Sequence, residues 1–460
     1  MPSEWQLDCL RSRVDSLYNE IGRVAEKQAP YAVTHRIHTA LRAILRHFNE
    51  MLEAARRRAA QRPESVDNLE YTYSVVSKEV TRVAETFRVC DRVDSPRIPF
   101  EILRSLSYAA STFAGANVET VVHLSNAYNY EISSMTHWFS EYRWLKWWRA
   151  AAPEGDASAD ILLMVFPSYE VGTTLLHAAA AHELGHVIAQ RRSQDVSNAV
   201  SEIVADVLLE FKDERREFVE VEGVPRNFED AASDRAWRYL LRSERIVSTD
   251  WVRETFADLV AARLVGPAYL AVMDRISVGH SGDPFHPPIA VRRRLISTYL
   301  RRFLRHVSAD PAWRDVKRGD APSVPRDIVT RIGTRICERS LDRLAALVNE
   351  LDTPLADRKA LAASVRAIGE RLDNLAPPSL DLVVDTTETA ATAFWLLIYA
   401  TARYRVSVKR FREFSANHGW SDTPDVSENA LNSMLLNGLQ NLDVKLLWHR
   451  AEREAEHATK

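Results

Sequence analysis

The sequence predicts a mainly α-helical protein with a small β-sheet, an α+β arrangement in which helices predominate. Glycine is scarce, at 14 of 460 residues, while the helix formers Ala, Leu, Arg and Glu are abundant. Apolar residues recur at helical spacing, as in Leu7, Leu10, Val14, Leu17 and Ile21. Two short stretches look different. Val118 to Ser133 alternates well enough to include a strand, and Ile161 to Phe166 (ILLMVF) is an unbroken apolar run closed by Pro167, the pattern of a buried strand.

Taken in order, residues 1 to about 60 read as two amphipathic helices, and a break at Arg62-Pro63-Glu64-Ser65 precedes a third helix over roughly 66–90. Ser95 to Pro99 ends that segment. An aromatic block follows the first strand region: Trp138, Phe139, Tyr142, Trp144, Trp147 and Trp148. Its simplest reading is a helix packed on the core, with a substrate cleft or a partner surface as the alternative. Thr173 to His177 and then Ala178 to Ala181 form a helix leading out of the second strand region. The Pro-, Asp- and Gly-rich stretch at 310–325 marks a boundary, and residues 326–460 read as further helices broken near Thr353-Pro354 and Ala376-Pro377-Pro378. Ala390 to Ala402 is too short to span a bilayer and reads as a buried helix. This gives a helical N-terminal region (1–115), a core (116–310) and a helical C-terminal region (311–460) suited to structure or to a regulatory protein partner.

Composition narrows the function. With 46% hydrophobic and 27% charged residues the chain has the make-up of a soluble globular protein. A net charge of −3 gives no overall drive toward nucleic acid or anionic membrane. Cys9, Cys90 and Cys337 form no metal-binding spacing and suggest a reducing, cytoplasmic setting. The N-terminus has no secretory pattern, and no transmembrane segment is expected.

The chemistry is concentrated in His182-Glu183-Leu184-Gly185-His186. On a helix, residues four apart lie about 40° apart around the axis, so His182 and His186 can present ring nitrogens to one ion. Glu183 flanks the same face, placed to take a proton from a metal-bound water without being a ligand. Strand, turn, then metal-binding helix is the order that a zincin-like core needs. His177 falls on the other side of the helix and reads as packing.

Two protein ligands make a weak site, so a third is expected, with the fourth position left to water. Glu254, in Glu254-Thr255-Phe256-Ala257-Asp258, is one candidate, with Asp258 one turn later to hydrogen-bond a ligand imidazole. Glu202, in Ser201-Glu202-Ile203-Val204-Ala205-Asp206, has the same Glu-x-x-x-Asp spacing and lies nearer to His186. Both stay open on spacing alone. Further on, His286-Pro287-Pro288-Ile289-Ala290-Val291-Arg292 offers a histidine and an arginine able to stabilise an oxyanion. His286 is the first choice, and Arg292 either supports it or pairs with a carboxylate. His280, Tyr169 and Tyr269 are lesser candidates. Arg292, Arg293, Arg294, Arg301, Arg302 and Arg305 make a basic helical face that reads as solvated surface or as a phosphate or acidic-partner contact.

With these elements in view, the chain resembles the gluzincin metallopeptidases, most nearly the family of the CAAX-prenyl protease and the heat-shock membrane metallopeptidases. That family combines a HExxH helix, a distant Glu-x-x-x-Asp helix and a His-Pro segment followed by Arg. The likeness covers residues 161–294 and differs from many members in offering no spanning segment. It implies Zn2+ held by His182, His186 and Glu254, with Glu183 as general base, and it favours Glu254 over Glu202. The expected activity is zinc-dependent hydrolysis of a protein or peptide substrate, with the strand at 161–166 pairing edge-on with an extended substrate. A non-catalytic, zinc-stabilised scaffold that binds a partner is the alternative.

Overall fold

The apolar stripes near the N-terminus become three helices: α1 (Glu4–Glu26), α2 (Ala32–Gln61) and α3 (Val66–Asp91). The chain is described here from a computed structural model, which covers residues 2–26, 32–62, 66–91, 110–112, 118–125, 131–151, 160–167, 178–215, 231–276, 284–313, 316, 327–380 and 386–458. Leu10, Val14, Leu17 and Ile21 of α1 are buried against Ile37, Leu41, Ile44 and Phe48 of α2 and Val76, Val80 and Val83 of α3. Removing such aliphatic stripes from water is the main stabilising term for these helices.

The same core takes in a three-stranded sheet, with strand order β1-β3-β2. Strand β1 (Val118–Ser125) runs parallel to β3 (Asp160–Pro167), with Val121 opposite Leu163. Strand β2 (Glu131–Ser134) runs antiparallel to β3, with Ile132 opposite Met164. Ile161, Leu162, Leu163 and Met164 are all buried, as an unbroken apolar run requires of a strand covered on both faces. Because β3 is the middle strand, both of its edges are already hydrogen-bonded. The expectation that residues 161–166 pair with an extended substrate is therefore corrected. The aromatic block falls on α4 (Met135–Glu141), α5 (Leu145–Ala150) and their junction, where Phe139, Trp144 and Trp148 are buried in this core. The packing reading of that block holds.

By its packing the chain divides into two compact units. One compact unit comprises Met1–Pro99 with Ala116–Val171, and the other Phe100–Gly115 with Gly172–Lys460. The sheet belongs to the first unit because its apolar residues share the core of α1 to α3. The C-terminal helices belong to the second, because they pack on the helix that carries Glu254.

In the second unit, α6 (Ala179–Arg191) bears HELGH and is followed by α7 (Ser193–Glu210). The long α8 (Ala231–Val265) is the hub, packed against α6, against α10 (Ile289–Phe303), against α12 (Ile328–Asn349) and against α14 (Thr387–Val406). Between these lie α9 (Ala268–Ile276), the short α11 (Arg305–Ser308) and α13 (Arg358–Asp373). Helices α15 (Val408–Asn417) and α16 (Pro424–Ala458) complete the unit. Residues Ala390 to Ala402 form the middle of α14 and are almost wholly buried, as expected of a core helix. Among the described residues, no helix is long and apolar enough to cross a membrane.

Candidate metal centre

Gly185 determines how closely α6 approaches α8. A Cβ added there would stand 2.6 Å from the Cα of Ala257, so the two helices meet almost backbone to backbone. Glu254 and Asp258 flank Ala257 on α8, and this contact carries both over the imidazoles of α6. His182 Nε2 and His186 Nε2 lie 3.1 Å apart. Glu254 Oε2 is 3.4 Å from His182 Nε2, and Glu254 Oε1 is 3.2 Å from His186 Nε2. The ligand atoms of these three residues all lie within 4.8 Å of one another, an arrangement that could hold a metal ion.

Glu202, the rival third ligand, is elsewhere. It lies on α7 with its side chain 75% exposed and is paired with Arg343 at 3.1 Å.

A second set of groups holds the first in place. His182 Nδ1 meets Asp258 Oδ1 at 3.0 Å, the contact expected from the Glu-x-x-x-Asp spacing. Arg292 clamps Asp258 with two bonds, from Nε at 2.8 Å and from Nη2 at 2.6 Å. Tyr269 on α9 donates its hydroxyl to Asp258 Oδ1 at 2.7 Å, and its ring stacks on that of His182 with centroids 5.6 Å apart. Arg292 is thus assigned to the carboxylate, the second of its two expected roles, and its guanidinium is enclosed rather than facing substrate. Tyr269 likewise supports Asp258 and is not free to meet an oxyanion.

His286 remains at the rim. Its side chain is 44% exposed and its Nε2 lies 3.4 Å from Glu254 Oε1, outside the group of three. The segment before it is tied to α8 by Trp251, whose indole donates to the Pro284 carbonyl at 2.9 Å. No sequence pattern pointed to that tether. Glu183 is half-buried on α6 beside His182. Tyr169, His177 and His280 lie outside the described residues.

The charges of the cluster would accommodate a cation. Burial disfavours every ion in the cluster, yet the two carboxylates outweigh it at His182, whose pKa is raised to about 10 by Asp258 and Glu254. Burial alone would raise Asp258, but Arg292 and His182 bring it down to about 2. Glu254 is held well below the usual carboxylate range for the same reason, its burial being overcome by the two histidines. Arg292 neutralises one of the two carboxylates, so a proton on His182 supplies the positive charge still owed. A metal ion would supply it too. Glu254 Oε2, moreover, is buried without a hydrogen bond, 3.4 Å from His182 Nε2 and 3.5 Å from Arg292 Nη2. The donor set of two imidazoles and a carboxylate therefore fits a divalent metal. No protein-family model, curated protein or solved structure matches the chain.

Proposed function

We propose that the protein is a zinc-dependent metallopeptidase of gluzincin type, with a zincin-like catalytic core around α6 and α8. The observation that carries this reading is the convergence of His182, His186 and Glu254: one ligand atom from each lies within 4.8 Å of the others, the two imidazole Nε2 atoms are 3.1 Å apart, and each is within 3.4 Å of a Glu254 carboxylate oxygen. Ligand atoms on a tetrahedral zinc with bonds of about 2.1 Å are separated by about 3.4 Å. Three protein ligands with one position left for water is the pattern of catalytic rather than structural zinc sites.

Bound zinc would lower the pKa of its water toward about 7 and polarise the scissile carbonyl. Glu183 accepts the proton of the attacking water and returns it to the leaving amine, a transfer commonly worth about 10²–10⁴ in rate. His286, half-exposed beside the ligand carboxylate, donates to the oxyanion that develops on the substrate. Asp258 fixes the ring of His182, which would leave Nε2 to hold the ion, and Arg292 and Tyr269 fix Asp258 in turn.

The test uses metal content and turnover together. Glu183→Gln should retain its metal and lose cleavage of a peptide library by about a hundredfold or more. Full activity in that variant rejects the assignment. Glu254→Ala should lose the metal while Glu202→Ala keeps it.

The position of His286 also supports a second reading, in which the metal only ties helices together and His286 closes the ion as a fourth ligand. In that case His286→Ala weakens metal binding. In the catalytic reading it leaves metal content intact and slows turnover.

A further inference from the structure

The six arginines that make a basic face in the sequence meet different fates. Arg292 holds Asp258, Arg293 donates to the Val316 carbonyl, Arg294 pairs with Glu338, Arg301 bonds to the Ser297 carbonyl and Arg302 pairs with Asp342. Arg305 has no such partner among the described residues, and it lines a surface cleft of about 890 Å³ in the second unit.

The other cationic groups of this cleft fall into two kinds. Arg403 is engaged by Asp310 at 2.5 Å, and Arg410 by Asp373 at 2.5 Å. Arg358 and Arg366, exposed on α13, are paired with no carboxylate among the described residues. His306 adds a ring whose Nε2 is bonded to the Leu355 carbonyl at 2.7 Å. Asp310, the acidic group of the lining, is already matched by Arg403. Three arginines thus line one cleft without a carboxylate partner among the described residues. Between them the walls are apolar, formed by Val307, Leu361, Val365 and the buried ring of Tyr399.

We propose that this cleft binds a phosphate-bearing organic molecule of about nucleotide size. Guanidinium forks match phosphate oxygens two bonds at a time, which a point-charge cation does not. The volume lies within the roughly 300–1,000 Å³ usual for small-molecule sites. Apolar walls reward an organic body, which inorganic phosphate alone does not have. The site is distinct from the metal cluster and shares none of its side chains.

Calorimetric titration of the full-length protein with adenosine triphosphate, tripolyphosphate and adenosine, at about 0.15 M salt, tests the proposal. The triphosphate nucleotide should bind, tripolyphosphate more weakly, and adenosine not measurably. Arg358→Gln/Arg366→Gln and, separately, Arg305→Gln should each weaken nucleotide binding by roughly tenfold or more. Arg302→Gln, which removes the same charge outside the cleft, should leave it unchanged. Failure of both phosphate probes to bind overturns the proposal. So does binding that survives the cleft variants or is lost equally in Arg302→Gln, and equal affinity for nucleotide and tripolyphosphate overturns the organic half of it.

Discussion

Two helices of this chain are spelled alike and behave oppositely. Glu202-x-x-x-Asp206 on α7 and Glu254-x-x-x-Asp258 on α8 have the same pair of carboxylates one turn apart. On α7 both are exposed, and Glu202 meets the surface Arg343. On α8 they are 8% and 2% exposed and face two imidazoles, an arginine and a tyrosine. The difference does not lie in the acidic residues. It lies in what packs opposite: α8 presents Ala257 to Gly185, and among the described residues α7 makes no comparable contact with Gly185. A pair of carboxylates becomes a candidate ligand and its support only where another helix comes close enough to bury both and repay the burial with positive charge.

The largest effect should come from removing that compensation. Arg292→Met leaves the Asp258 carboxylate buried without its bidentate partner, and breaking one side of a buried ion pair typically costs about 3–5 kcal/mol. Denaturant unfolding should show the midpoint fall accordingly, with metal affinity reduced as His182 loses its orientation. Adding Asp258→Asn to the same chain should restore most of the stability, since no charge is then stranded. A double variant as unstable as Arg292→Met would show that packing, rather than charge, is what Arg292 contributes.

How much of this was legible beforehand follows from which features are local. The HELGH spacing is a property of one helix, so His182 and His186 could be paired from the sequence. Leu10, Val14, Leu17 and Ile21 likewise announced their buried stripe, and the run at 161–166 announced a covered strand. The choice between Glu254 and Glu202 was not local. It depends on Gly185 meeting Ala257, a contact between segments far apart in the chain. The central place of β3 was hidden for the same reason, since an unbroken apolar strand does not reveal how many neighbours it has. The same applies to the grouping of strand and HELGH helix: they are close in sequence, yet β3 buries its residues with α1 to α3. Trp251 and Tyr269 carry no motif at all, and their bonds to Pro284 and Asp258 emerge only from tertiary packing.

Closing the gap between α6 and α8 to any added atom sharpens the comparison next. Gly185→Ala places a methyl group against the Ala257 backbone, which cannot swing aside as a flexible side chain can. Overpacking of this kind typically costs about 1–3 kcal/mol, and the helix-propensity gain of about 1 kcal/mol from replacing glycine offsets only part of it. Metal affinity should fall with stability, because the displacement lies between the ligands of α6 and the ligand of α8. Unchanged affinity in a destabilised variant would show that the two helices separate without opening the site.

Acid should reveal the same compensation without any substitution. In metal-free protein Asp258 has its pKa lowered from 3.8 to about 2, so its contribution is present above the unfolded value and is lost as pH falls through the folded one. The stabilisation at stake is about 2 kcal/mol, to be read as a steepening of the stability curve below about pH 4. Asp258→Asn should flatten that part of the curve. A curve that stays steep in the variant would assign the acid sensitivity to other carboxylates.

The smallest effect belongs to the helix that only looks like the site. Glu202→Ala removes an exposed ion pair, and such pairs contribute about 0–1 kcal/mol because water and salt already screen both charges. Alanine is also the better helix former by a few tenths of a kcal/mol, so the net change in unfolding midpoint should be close to zero. On the proposed reading, metal binding and peptide cleavage should match those of the wild type. A measurable loss of metal in this variant would mean that α7 folds over the imidazoles in solution, and the contrast between the two Glu-x-x-x-Asp helices would then be drawn the wrong way round.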